Sequence, residues 1–185
     1  MVQNNHNIDG VVIFREKLHN DSRGGFLEWF KADPVFKEFG EQIDFRQGNV
    51  SKSLKNVIRG LHLGIGSGKQ VKLVTCMQGK ILDVFLDLRR NSPTYLEWGS
   101  AILEGLDGQS ILIPEGVAHG FAALDEINVV CYLNSKAYDP NYEVTINPLD
   151  PLLNIQWQIE LPILSEKDRL ALNLQDILEL KNVIF

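Results

Sequence analysis

Four side chains far apart in this chain, His62, Lys72, Tyr132 and Asp168, are of types that move protons or face developing charge. His62 lies in the run Arg59-Gly60-Leu61-His62, and an imidazole titrates near neutrality, which suits a general base; Gly60 beside it permits close approach of a ligand. Lys72 shares strand parity with Val74 and Cys76, which puts an ammonium on an apolar face if the strand is regular. Burying a lone lysine is costly, so a compensating role is expected, and an ammonium attracts an oxyanion. Tyr132 shares parity with Asn128 and Val130, so its phenol can reach the same interior. His119 closes the loop 113–121 and is expected to hydrogen-bond a ligand. Plainer readings stand beside these: a satisfied core histidine for His62 or His119, and for Asp83 either a structural buried carboxylate or a partner of Lys72 or His62.

These residues need a scaffold that gathers them. A chain of 185 residues with 44 % hydrophobic content is enough for one domain, 1–185, with a sizeable core. A net charge of -6 argues against a nucleic-acid or anionic-membrane surface, while two or three local cations still allow an anionic small ligand. The first ten residues are polar and lack the pattern of a secretory signal, and no apolar run is long enough to span a membrane. Cys76 and Cys131 each sit in an apolar strand-like run, which favours buried reduced thiols and a cytoplasmic setting. Residues 11–132 are short runs of Val, Ile, Leu and Phe broken by glycine and Asn/Asp turns, the pattern of an antiparallel barrel or sandwich. Helical spacing is confined to 33–39, with Pro34 in the first turn, and to 165–180, the main helix, where Ser165 and Asp168 form a start signal and Leu170, Leu174, Ile177 and Leu178 recur. His6 and His19 fall in polar loops.

Residues 108–119 read glycine, five residues, proline, one, glycine, two, histidine, which resembles the second motif of the cupin superfamily. The first cupin motif has lost its ligands. A metal-binding cupin uses a His-x-His pair and a carboxylate with six residues between it and a glycine; here Gly64 stands two places after His62, and Lys72 is the residue with six residues between it and Gly79. An ammonium repels a dication. The expectation is an all-β, cupin-type antiparallel β-barrel, or jelly roll, with a few short helices, no metal and no cofactor.

The runs 21–28, 46–53, 57–62, 72–74, 82–89 with 92–94, 113–121 and 163–168 together resemble the dTDP-4-dehydrorhamnose 3,5-epimerase family, in family order and over most of the chain. The resemblance implies cofactor-independent epimerisation of a nucleotide-linked 4-keto-6-deoxyhexose. In it, His62 removes the proton alpha to the ketone, oriented by Asp168, Lys72 faces the enolate oxygen, and Tyr132 returns a proton from the opposite face. It also implies that Arg23 and Arg59 grip the diphosphate, that Phe26, Glu28, Gln47 and Asn49 frame the nucleoside, some from a second subunit of a homodimer, and that Tyr138 stacks on the base.

The residues leave other readings open. The same four side chains suit an epimerase acting at C3 or C5 alone, and a silent sugar-nucleotide-binding cupin belongs to another class. A metal-dependent cupin predicts loss of activity on chelation. The family usually follows its histidine with an aromatic residue, a glutamine and a proline-containing stretch, whereas this chain has Leu63-Gly64-Ile65-Gly66-Ser67-Gly68. That loop is expected to border the sugar, where the change would widen the pocket, alter which centre is inverted, or admit a modified hexose.

Overall fold

A computed structural model describes residues 7–180. His6 and the first part of the polar N-terminal stretch lie outside the described residues. In chain order the elements are β1 Val12–Arg15, β2 His19–Asp21, β3 Gly24–Phe26, α1 Ala32–Phe39, β4 Gln47–Leu54, β5 Ile58–Gly64, β6 Lys72–Gln78, β7 Lys80–Asp87, β8 Trp98–Glu104, β9 Gln109–Ile113, β10 Val117–Ala123, β11 Ile127–Asn134, β12 Glu143–Thr145, α2 Glu166–Arg169 and α3 Leu174–Glu179. They build two five-stranded antiparallel sheets, ordered β1-β9-β6-β11-β4 and β12-β5-β10-β7-β8, plus the β2-β3 hairpin. This is the jelly-roll architecture expected from the cupin motif. Among the described residues no helix is long and apolar enough to cross a membrane.

The period-two pattern of the strands assigns each face. Val74, Cys76, Ile111, Ile113 and Val130 from the first sheet meet Ile81, Phe85, Leu103, Val117 and Phe121 from the second, forming the core between the sheets. The opposite face of the second sheet carries Leu61, Leu63, Leu82, Val84 and Leu86, and the C-terminal segment covers it with Leu153, Trp157, Leu174 and Ile177. Strand β7 is therefore buried on both faces, which explains its unbroken apolar run around Asp83. On the far side of the first sheet, Leu73 and Leu112 are covered by Val35 of α1 and by Ile43.

The C-terminal region departs from the single main helix expected over 165–180. It forms two short helices, and α1, with 8 residues, is the longest. Tertiary pairing interrupts the helical spacing: Leu172 bridges to Ile146, its carbonyl accepts from Asn147 N–H, and Asp150 Oδ2 accepts from Leu174 N–H at 2.7 Å. Ser165 does start a helix, as its spacing to Asp168 indicates. His19 lies in β2, exposed, and not in a loop. Both cysteines are free thiols, Cys76 buried and Cys131 half-buried.

Candidate active site

One end of the space between the sheets is open, forming a cavity of about 420 Å³ lined by His62, Lys72, His119, Tyr132, Lys167 and Asp168, together with Ser51, Arg59 and Phe121. Strand parity delivers most of them. Lys72 lies on the face of β6 that holds Val74 and Cys76, and Tyr132 shares the inner face of β11 with Val130, so both enter from the first sheet. His62 and His119 come from the second sheet, as a registered pair between β5 and β10.

Gly60 serves a close contact within the fold itself. Its φ is +112°, and a β-carbon there would stand 2.6 Å from Gly120 Cα and from His119 O. This close approach is by strand β10, at the bulge between His119 and Phe121. The glycine thus lets the second sheet bend where His62 enters the cavity.

Asp168 reaches His62 because the C-terminal segment runs back along β5. Ile58 N–H donates to Ile163 O at 3.0 Å, Ile163 N–H donates to Asn56 O at 2.8 Å, and Ser165 then caps α2. This places Asp168 Oδ1 2.7 Å from His62 Nε2. Burial pushes the Asp168 carboxyl up, but the bond to His62, the charge that an imidazolium carries there, the Ser165 hydroxyl and the Lys167 ammonium outweigh burial and leave it below its usual value. An ionised carboxylate can only accept, so His62 Nε2 carries the hydrogen and Nδ1 is left as the basic nitrogen. Such a bond to a charged group is worth about 1.5–3 kcal/mol.

Burial lowers Lys72 to about 8, against the opposing pull of Glu143 and Asp83; Lys167 lowers it further. Its Nζ donates to His62 O at 3.3 Å. Burial also raises the Tyr132 phenol, with Arg59 lowering it and Glu143 raising it, so at neutral pH the phenol keeps its proton and can donate it. Asp83 binds neither Lys72 nor His62 directly: its Oδ1 lies 2.7 Å from His119 Nε2, since the β10–β7 register puts Asp83 opposite Phe121 and His119 opposite Phe85, making the two buried side chains diagonal neighbours. Among the described residues no group of three His, Cys, Asp or Glu side chains is arranged to hold a metal ion.

The other expected binding residues divide into one that lines the cavity and others that do not. Arg59 lines the cavity, with its Nε donating to Ser53 Oγ at 2.9 Å. Gln47, Asn49 and Tyr138 are not among the lining residues but form one cluster: Tyr138 N–H donates to Gln47 Oε1 at 2.7 Å, and Gln47 Nε2 donates to Asn49 Oδ1 at 2.8 Å. The Tyr138 ring faces Lys167 Nζ at 6.0 Å. Arg23, Phe26 and Glu28 do not line the cavity of their own chain. Arg23 pairs with Asp21 while its side chain stays 87 % exposed, Phe26 is 64 % exposed, and Glu28 pairs with Lys31.

The loop 63–68 also stays out of the cavity wall. Leu63 is packed in the outer core, and a β-carbon on Gly64 would stand 2.0 Å from Gly68 O. The glycines close a tight turn against Tyr142. Three residues of the site went unread in the sequence: Ser51, which shares the inward parity of Gln47 and Asn49; Lys167, next to Asp168; and Glu143, the ion-pair partner of Lys167. The β4 alternation and the adjacency to Asp168 were the available signals for the first two; Glu143 had none, since its strand β12 has three residues.

Comparison with known proteins gives a consistent result. A family model described as dTDP-4-dehydrorhamnose 3,5-epimerase matches residues 5–176. A dTDP-4-dehydrorhamnose 3,5-epimerase of Mycobacterium tuberculosis is 42 % identical over 174 residues, covering 92 % of this chain and 86 % of that one. A dTDP-4-dehydrorhamnose 3-epimerase of Streptomyces niveus is 38 % identical over 169 residues, covering 91 % and 82 %. The crystal structure of dTDP-6-deoxy-D-glucose-3,5-epimerase from Legionella pneumophila Philadelphia 1, in complex with dTDP-4-keto-L-rhamnose, superposes with a TM-score of 0.87 at 38 % identity, covering 92 % and 91 %.

The lowered Lys72 is a cost carried by the fold. The unfolded lysine binds its proton up to about 10.4 and the folded one only to about 8, so the penalty is fully present below pH 8 and disappears as pH rises past the unfolded value. Lys72→Met, similar in length and uncharged, should therefore raise the urea midpoint at pH 7 by the equivalent of about 1–3 kcal/mol and leave it unchanged near pH 11. A lower midpoint at pH 7 would contradict the assignment of Lys72 as a strained cation.

Proposed function

The chain belongs to the dTDP-4-dehydrorhamnose 3,5-epimerase family, and we propose that it inverts C3 and C5 of a dTDP-linked 4-keto-6-deoxyhexose, as in dTDP-L-rhamnose formation. The observation that carries this reading is an imidazole–carboxylate pair on one side of a single cavity and a protonated phenol on the other, with an ammonium from the phenol's own sheet lining the same cavity.

His62 Nδ1 takes the proton from a carbon flanking the C4 ketone, and the electron pair of the broken C–H bond moves onto the ketone oxygen as an enolate. Asp168 stabilises the imidazolium so formed. The Lys72 ammonium faces the enolate; a fixed donor at a developing oxyanion contributes about 10²- to 10³-fold. The Tyr132 hydroxyl then gives its proton to the opposite face of the carbon, and solvent restores both groups. Acid and base each contribute about 10²- to 10⁴-fold. Because C3 and C5 both flank the ketone, re-presenting the ring to the same base serves both centres. Arg59 and Lys167, cations on the cavity wall, suit the diphosphate. The whole chain acts as one catalytic domain in the cytoplasm, without metal or cofactor.

The enzyme works as a homodimer in which the exposed β2-β3 hairpin of one copy brings Arg23, Phe26 and Glu28 to the nucleoside end of its partner's cavity. Their exposure and their absence from the cavity wall of their own chain support this.

Incubation of the protein with dTDP-4-keto-6-deoxyglucose in D2O, followed by proton NMR, should show deuterium entering at C3 and C5 with inversion of both, unchanged by chelator. Entry at one carbon only would replace this reading with a single-centre epimerase, and binding without exchange would replace it with a silent module. For the shared site, mixing and re-equilibrating the two inactive variants Arg23→Ala and His62→Ala should restore about a quarter of wild-type activity, through hybrid dimers that keep one intact site. No recovery on mixing would contradict the exchanged hairpin.

A further inference from the structure

Ser165 takes no part in the chemistry proposed above, yet its single hydroxyl proton is committed to it. Its Oγ accepts the Asp168 N–H at 3.1 Å, as an N-cap does, and donates to Asp168 Oδ2 at 2.8 Å. The other carboxylate oxygen, Oδ1, is the one bonded to His62 Nε2 at 2.7 Å. Capping alone requires only an acceptor; the second bond is additional. Asp168 is 3 % exposed, so water has little access to Oδ2 and the serine supplies what solvent would.

We infer that Ser165 is a positioning residue for the catalytic base, acting through Asp168. Holding Oδ2 fixes the plane of the carboxylate and keeps it ionised, so that Oδ1 holds the hydrogen of His62 on Nε2 and Nδ1 faces the substrate. The line of contacts is Ser165 to Asp168 to His62, in which only the last touches the reacting carbon. This rests on the reading of His62 as the base.

Three substitutions separate positioning from capping. Glycine caps a helix almost as well as serine but has no hydroxyl. Ser165→Gly should melt at nearly the wild-type temperature, keep KM within about twofold, and lose about 10- to 100-fold in kcat, the factor carried by a hydrogen bond to a charged group. Ser165→Ala should lose the same kcat along with some thermal stability, and Ser165→Thr, which keeps the donor, should recover kcat. Nitrogen-15 NMR of the His62 ring, without substrate, should find the hydrogen on Nε2 in the wild type and in Ser165→Thr, and a mixture of tautomers in Ser165→Gly. Unchanged kcat in Ser165→Gly, or a lowered kcat with the tautomer unchanged, would overturn the inference. If the wild type fails to turn over the dTDP-linked ketosugar, the functional reading fails, while the ring spectra still decide the role of Ser165.

Discussion

The bond between His62 Nε2 and Asp168 Oδ1 joins positions 106 residues apart in the sequence, and the cavity depends on it. The barrel supplies the imidazole and the C-terminal segment supplies the carboxylate. Neither element alone makes a base of defined tautomer. Much of the tertiary structure serves to bring them within 2.7 Å: the apolar face of β5 and β7 draws the C-terminal segment over it, and backbone pairing between Ile163 and residues 56–58 sets the height at which Ser165 begins α2. The hydrophobic contacts supply the driving force, and the polar contacts set the register.

Around that pair, charge is arranged so that each group keeps the protonation state its place demands. Asp168 stays ionised in spite of burial, and the Tyr132 phenol is held above its usual value, mainly by burial. Lys72 is the compromise. Burial brings it down to about 8, close enough to neutrality that Glu143 and Asp83, which oppose the fall, matter to whether it stays an ammonium. Asp83 has a second duty, since it also holds His119 Nε2. An apolar side chain at 72 would avoid the cost of burying an ammonium; in the proposed reaction that cost is offset by a counter-charge for the enolate.

How much of this could be read from the residues follows from the range of the interactions. Strand parity is local, so the inward facing of Lys72 and Tyr132 was legible before any coordinates. So were the barrel, from the glycine-proline-glycine-histidine spacing of 108–119, and the helix start at Ser165. Partners set by strand register were not. Asp83 could be seen as a buried carboxylate, but only the β10–β7 pairing assigns it to His119. Gly60 could be seen as a site of close approach, but the sequence does not say that the approaching group is Gly120. The apolar spacing of 165–180 was real, since Leu174 and Ile177 are buried, yet Leu172 spends its backbone on Ile146 and breaks the helix there. The run 63–68, expected at the sugar, closes on itself through contacts to Tyr142 that lie 74 or more residues downstream.

In the proposed reaction, base and acid act from opposite sheets on opposite faces of one carbon. Tyr132→Phe in D2O tests it most directly, by following deuterium entry and inversion separately in the same sample. Removal of the phenol should leave exchange of an alpha proton through His62 within about tenfold of wild type while inversion falls by about 10²- to 10⁴-fold. Inversion at the wild-type rate in that variant, or loss of exchange and inversion by the same factor, would contradict the division of labour between His62 and Tyr132.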